Sequence, residues 1–303
     1  MSKKYLCIDV GGSSIKHAVL DEELNISSRG SVKTPYEGLE CYLETLEKIF
    51  RPFEGQVSGI AMSVPGVIDS RNGICITGGA LEDFVRELPL AREMEKRCHV
   101  PVTLMNDAKS AALAEAGWGS LTDCKDAVVL VFGTGVGGAL IKDGKVHMGK
   151  HFSAGEFSWF MMNREFDQME SSWAFRSGNR RLVSLAASVK GMEKESITSF
   201  DVFRWAEEGD EDALWVLDLF TRDIAYMIIN LQCIYDPECF AVGGGISRQP
   251  LFLEYIRKNL NHYYSLCAFP VPKPQVVECK YHNDSNMIGA LKYFLDRNLV
   301  QFS

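Results

Sequence analysis

The stretch VVLVFGTGVGGALIKDG, residues 128–144, decides the fold. Gly133, Gly135, Gly137 and Gly138 fall between two apolar runs that read as strands. A hairpin turn needs one or two glycines, not four. Backbone stripped of side chains lets N–H groups close on an anion, so the segment reads as a phosphate nest. Thr134 adds a hydroxyl to it and Val136 sits between the glycines.

A thinner version, YLCIDVGGSSIKHAVLD, covers residues 5–21. Tyr5–Asp9 and Ile15–Leu20 read as strands, with Gly11, Gly12, Ser13 and Ser14 between them and Lys16 on the second. For Gly11 and Gly12 alone, turn geometry and phosphate approach fit equally well. Lys16 reads either as a phosphate contact or as a solvated strand residue. Two glycine-cornered meanders half a chain apart suggest a diverged duplication, each half giving one hairpin to a phosphate clamp. The usual nucleotide motifs do not apply. There is no G-x-x-x-x-G-K-[ST], and both glycine segments lead into strands where a Rossmann fingerprint leads into a helix.

Polar residues at strand ends supply the candidate chemistry. Asp9 ends an apolar strand directly before the first glycine turn, where a carboxylate either caps the turn or holds Mg²⁺ against phosphates. Asn106 and Asp107 follow the strand PVTLM and open an alanine-rich helix. Either is an ordinary helix N-cap. A carboxylate at that strand end is equally suited to accept a hydroxyl proton during phosphoryl transfer. Gly243, Gly244 and Gly245 follow the strand CFAV and precede a helix, a tight turn or a flat surface for an adenine or ribose. His147 and His151 lie in a segment without helical pattern, which argues against paired metal ligation.

Elsewhere, helical spacing predicts a helix from Tyr36 to Phe50 and a charged one from Arg86 to Cys98. A long helix from Asp212 to Tyr235 is stopped by Asp236-Pro237. The chain has 303 residues, enough for two domains, and its net charge of −8 argues against gripping nucleic acid or an anionic membrane. No apolar run approaches the ~20 residues of a membrane helix. The opening MSKKYLCID lacks a secretory signal. The nine cysteines form no C-x-x-C pair, and most read as small core residues in a reducing cytoplasm.

Together these segments make the chain resemble a sugar kinase of the ROK family (repressors, open reading frames and kinases), within the actin and hexokinase superfold. IDVGGSSIKHAVLD resembles the first phosphate segment, SVPGVID the strand-end Pro-Gly carrying Gly66, and NDAKSAALAE the catalytic segment. FGTGVGGALI resembles the second phosphate segment and VGGGIS the adenosine segment. The resemblance implies an α/β fold of two RNase H-like domains with mixed sheets and an interdomain cleft. Residues 1–115 plus 286–303 would form the first domain and 116–285 the second.

It further implies ATP with Mg²⁺ as cofactors, Asp107 as catalytic base and Asn106 as a sugar-hydroxyl contact. Glu156 in AGEFSW would be the sugar-binding glutamate, and Gly79 in ITGGALEDF would bring backbone close to the sugar. Relatives with structural zinc carry a histidine after that glutamate and then a C-x-C-G-x-x-G-C run. Here Trp159 stands at the histidine position and residues 161–182 contain no cysteine, so no structural zinc is expected. Trp159 offers an apolar face to a sugar or aglycone, or packs in the core, the reading preferred. The implied activity is phosphorylation of a hexose or β-glucoside, at the 6-hydroxyl, by a homodimer. An N-acetylmannosamine or N-acetylglucosamine kinase is the alternative within the family. The family's repressors carry an N-terminal helix-turn-helix, for which the strand beginning at Tyr5 leaves no room; a non-catalytic sugar sensor is the remaining rival.

Overall fold

The computed structural model describes residues 2–164, 168–268 and 270–300. The chain forms two α/β units. One contains the chain up to Gly117, Met148–Ala154 and the chain from Asp284 onward; the other contains Trp118–His147 and Gly155–Asn283. Each is built on one mixed five-stranded sheet.

In the first unit, β1 (Lys4–Val10), β2 (Ser14–Asp21) and β3 (Ile26–Lys33) form an antiparallel meander. Helix α1 (Leu39–Phe50) leads to β4 (Ile60–Val64), which pairs parallel to β1. A small hairpin, β5 (Ile68–Asp69) and β6 (Ile74–Cys75), is followed by α2 (Glu82–Val85) and α3 (Leu90–Cys98). Strand β7 (Val102–Asn106) then pairs parallel to β4 and runs straight into α4 (Asp107–Trp118). The spatial order is β3-β2-β1-β4-β7. The helix expected from Arg86 starts later: Arg86 is extended and Pro89 precedes the first turn of α3. A proline inside the helix would remove a backbone donor and clash with the preceding turn.

Alternation along the strands divides the work of the two faces. Leu6, Ile8 and Val10 of β1 with Ile60, Met62 and Val64 of β4 pack against Leu43 and Leu46 of α1 and Leu90 and Met94 of α3. The intervening residues meet the C-terminal helix, Ser285–Val300. There the Phe294 ring lies 5.2 Å from that of Tyr5, and Gly59 has no room for a side chain because Phe294 fills the space.

The second unit repeats this plan. Strands β8 (Ala127–Phe132), β9 (Val136–Lys142) and β10 (Lys145–Val146) form the meander. Four helices follow: α5 (Trp173–Ser177), α6 (Asn179–Lys190), α7 (Ser199–Glu207) and α8 (Glu211–Tyr235). Then come β11 (Cys239–Gly244), α9 (Pro250–Ser265) and β12 (Val276–Glu278). The order β10-β9-β8-β11-β12, with β8, β11 and β12 parallel, matches the first sheet strand for strand. Its core sets Val128, Leu130 and Phe132 against Trp173, Phe220 and Phe252. Helix α8 ends where expected, Asp236 adopting a left-handed conformation ahead of Pro237.

Among the described residues no helix is long and apolar enough to cross a membrane. None of the nine cysteines forms a disulfide, and Cys7, Cys75, Cys98, Cys239 and Cys279 are buried. Cys233 is exposed, outside the core role expected for most of them.

Candidate active site

The two glycine hairpins are of equal length. Gly11, Gly12 and Ser13 join β1 to β2; Gly133, Thr134 and Gly135 join β8 to β9. In each, the first glycine closes the turn. The Gly11 N–H donates to Ser14 O and the Gly133 N–H to Gly135 O, both at 3.0 Å. Those two amides are therefore engaged, and the N–H groups left for an anion are those of Gly12, Ser13, Thr134 and Gly135, which donate to nothing among the described residues. Thr34 Oγ1 donates to Gly11 O and Tyr36 Oη to Gly12 O, pinning the first hairpin's carbonyls.

The reading of four turn glycines needs correction. Gly137 and Gly138 lie inside β9, opposite Val131 and Leu130. None of the four has positive φ. Gly138 is bare because the Phe157 ring occupies its side-chain position. Gly133 faces open space, so no packing accounts for its missing side chain. Gly243 and Gly244 likewise belong to β11, paired with Val131 and Phe132 at the carboxyl ends of two parallel strands. Gly244 has φ 99°, and a side chain there would strike the Phe132 backbone. Gly245 follows in open space.

In the first unit, Asp9, Ser63 and Asn106 lie at or next to the carboxyl ends of β1, β4 and β7, the edge where open α/β sheets bind ligands. Asn106 is buried and serves two ends: its Oδ1 accepts the Lys109 N–H at 3.0 Å, capping α4, and its Nδ2 donates to Gly66 O at 2.9 Å. The same amide donates to Asp107 Oδ1 at 2.9 Å, and that oxygen also accepts the Ala108 N–H at 2.7 Å. The Asp107 carboxylate, half-buried, is thus held by its inner oxygen. Of this pair, Asn106 supplies the cap, and the Asp107 carboxylate is held in a fixed orientation beside it.

Gly66 and Gly79 belong to the same constellation. Gly66 has φ 94° and abuts Thr77, whose Oγ1 accepts the Val67 N–H at 2.9 Å. Gly79 has φ 56° and packs on Pro65 and Gly66, while its neighbour Ala80 touches Gly12. A continuous chain of contacts therefore runs from the first hairpin through Gly79 and Gly66 to Asn106 and Asp107. Thr34, Tyr36 and Thr77 hold this chain together, and no motif pointed to them.

Asp9 is buried on the face covered by the C-terminal helix. Burial pushes its carboxyl above the ordinary value, against the opposing pull of Asn286 and Lys16. Asn286 Nδ2 donates to Asp9 Oδ1 at 3.0 Å, and exposed Lys16 lies opposite in β2. A carboxylate at this strand end is a hard oxygen donor, which suits Mg²⁺.

In the second unit, Glu156 sits between Gly155, which abuts Ala139, and Phe157, which lies on Gly138. The bare strand β9 thereby fixes where this carboxylate stands. Trp159 does not pack in the core, as preferred from the sequence. It is 67% exposed, because the turn Phe157–Trp159 buries Phe157 instead. No group of three His, Cys, Asp or Glu side chains that could hold a metal occurs among the described residues. Residues 165–167, part of the cysteine-free segment, lie outside them.

With two like sheets, a glycine hairpin on each and a carboxylate at a strand end, the architecture is that of a two-domain phosphotransferase. Residues 5–297 match the ROK family, and the chain belongs to it. It is 27% identical over 295 residues to a beta-glucoside kinase of Listeria monocytogenes, covering 96% of this chain and 97% of that one. A ROK family protein from Streptococcus pneumoniae, solved in complex with sucrose, superposes with a TM-score of 0.87 at 28% identity, covering 98% and 99%. A ROK family glucokinase from Streptomyces griseus, in complex with glucose and AMPPNP, gives 0.82 at 25% identity, covering 95% and 97%.

Proposed function

We propose that this protein, an ATP-dependent sugar kinase, transfers the γ-phosphoryl group to the 6-hydroxyl of a hexose or β-glucoside with Asp107 as general base. The observation carrying the proposal is the contact chain that joins Asp107 to a phosphate-type hairpin within one unit. Asp107 accepts the hydroxyl proton as the sugar oxygen attacks the γ-phosphorus, and the bond to the β-phosphate oxygen breaks to release ADP. Its Oδ1 accepts from Asn106 and from the Ala108 N–H, which fixes the orientation of the carboxylate. Asn106, Gly66, Gly79 and Glu156 bind and orient the sugar. Gly12 and Ser13, with Thr134 and Gly135, supply backbone donors to the phosphates, and Gly243–Gly245 a flat surface for the adenosine. Mg²⁺, held by Asp9 directly or through water, would neutralise phosphate charge.

The preference for a hexose or β-glucoside is supported by the Listeria beta-glucoside kinase and the Streptomyces glucokinase. Exposed Trp159 suits an apolar aglycone. A coupled ADP-release assay over glucose, cellobiose, aryl β-glucosides and N-acetylated hexosamines tests the substrate, and turnover confined to the last group overturns it in favour of an N-acetylhexosamine kinase. Asp107→Asn tests the mechanism. The amide keeps an oxygen for Asn106 and Ala108, so fold and sugar binding persist while turnover drops about 10²-fold or more. Turnover near wild type removes Asp107 from the chemistry.

A further inference from the structure

The corner between α5 and α6 concentrates unsatisfied polarity. Among the described residues, buried side-chain nitrogen or oxygen atoms of Ser172, Trp173, Arg176, Ser177, Asn179 and Arg181 have no hydrogen-bond partner. Six such groups within ten residues call for an explanation, and a ligand that completes the site supplies one. The corner is built onto the second hairpin. A side chain at Gly178 would collide with the backbone of Thr134 and Gly135, and the Asn179 N–H donates to Gly133 O at 2.9 Å.

Its charge is unbalanced. Arg176 and Arg181 share one acid, Asp223 of α8; Arg176 Nε stands 3.9 Å from it, too far for a hydrogen bond. Burial and the neighbouring Arg176 push the Arg181 guanidinium down despite Asp223. Between the two arginines, Ser177 is fully buried with its hydroxyl unpartnered, and α6 begins at Asn179 without a side-chain cap. Two guanidiniums, a free hydroxyl and an uncapped helix start flank a hairpin with open amides, which is a setting for an anion.

We propose that Arg176 and Arg181 bind the polyphosphate tail of the nucleotide at the second hairpin, with the Ser177 hydroxyl as a neutral donor. This deepens the kinase reading and rests on it. Neither arginine touches the sugar or accepts the proton, so their loss acts on nucleotide affinity.

The test is calorimetric titration of AMPPNP and of inorganic tripolyphosphate into the full-length protein without sugar. The variants are Arg176→Gln, Arg181→Gln and Arg181→Lys, and thermal melts check the fold. A charge-assisted hydrogen bond predicts a loss of about 10-fold or more for each Gln variant with both probes. Partial recovery is expected in Arg181→Lys, and the sugar KM should shift less than about 2-fold, as for a group outside the sugar site. Wild-type affinity in both Gln variants overturns the proposal. So does weakened AMPPNP binding with unchanged tripolyphosphate binding, which would move the contact to the nucleoside. A wild-type protein that binds neither probe instead overturns the kinase reading, and this inference with it.

Discussion

Gly138→Ala offers a stringent test of how this fold positions its substrate groups. A methyl group there would lie 2.7 Å from Cε2 of Phe157, closer still to Cδ2, and 2.8 Å from the Val129 carbonyl oxygen, where ordinary contacts begin at 3.4 Å. The ring must therefore retreat by about 1 Å. It has little room, being buried against Phe160 at 5.4 Å and Trp173 at 6.3 Å between ring centroids. Overpacking of this kind costs about 1–3 kcal/mol. Glu156 precedes Phe157 in the chain and moves with it. Misplacement approaching 1 Å is enough to lower catalytic efficiency by about 10²-fold. The expected result is a lower melting temperature together with a raised sugar KM, measured with the best substrate of the ADP-release panel. Phe157→Leu in the same chain frees space and should recover part of both losses, so that the double variant is less impaired than the single effects added. A Gly138→Ala protein with wild-type melting and KM would show that the Phe157 ring does not fix Glu156.

The first unit makes a prediction about Asp9. A carboxyl raised by burial keeps its proton in the native state at pH values where the unfolded chain has released it, so stability falls as pH rises above the ordinary value of 3.8. Asp9→Asn removes that dependence: its ligand-free melting temperature should equal or exceed wild type at neutral pH, the gap closing toward pH 4, while Mg²⁺-ATP turnover collapses. A variant less stable than wild type at neutral pH would assign Asp9 a structural role. Gly178→Ala drives a methyl into the backbone of Thr134 and Gly135. The KM for ATP should rise about 10-fold or more while the sugar KM holds, the pattern of a lost nucleotide contact. Equal losses on both would mean that the second unit had been disrupted generally.

Much of this was legible in the chain, and the exceptions share a cause. Strand-and-turn patterning places both meanders, and Asp236-Pro237 correctly ends α8, because these signals are local. The roles of the glycines are not local. Gly137 and Gly138 read like Gly133 in sequence, yet Gly138 answers to a ring nineteen positions onward and Gly133 to open space. Trp159 and Phe157 are two residues apart and equally apolar. Only the packing against β9 decides that Phe157 is buried and Trp159 exposed. Arg86 satisfies a helical period that Pro89 interrupts. The partner of Asp9, Asn286, lies 277 residues away and no spacing rule reaches it. The orphaned groups of the α5–α6 corner become visible only once side-chain partners can be counted.

The C-terminal helix covers the sheet face that carries Asp9, and Gly59 and Gly289 are bare so that it can press against the sheet and against Ser110 of α4. The first strand therefore acquires its roof only after the ribosome has added the 277 residues that separate Asp9 from Asn286. Nascent chains and products cut short of Ser285 would expose the apolar residues beside Asp9, and such uncovered sheets are prone to aggregate. Catalytic competence would wait on that helix.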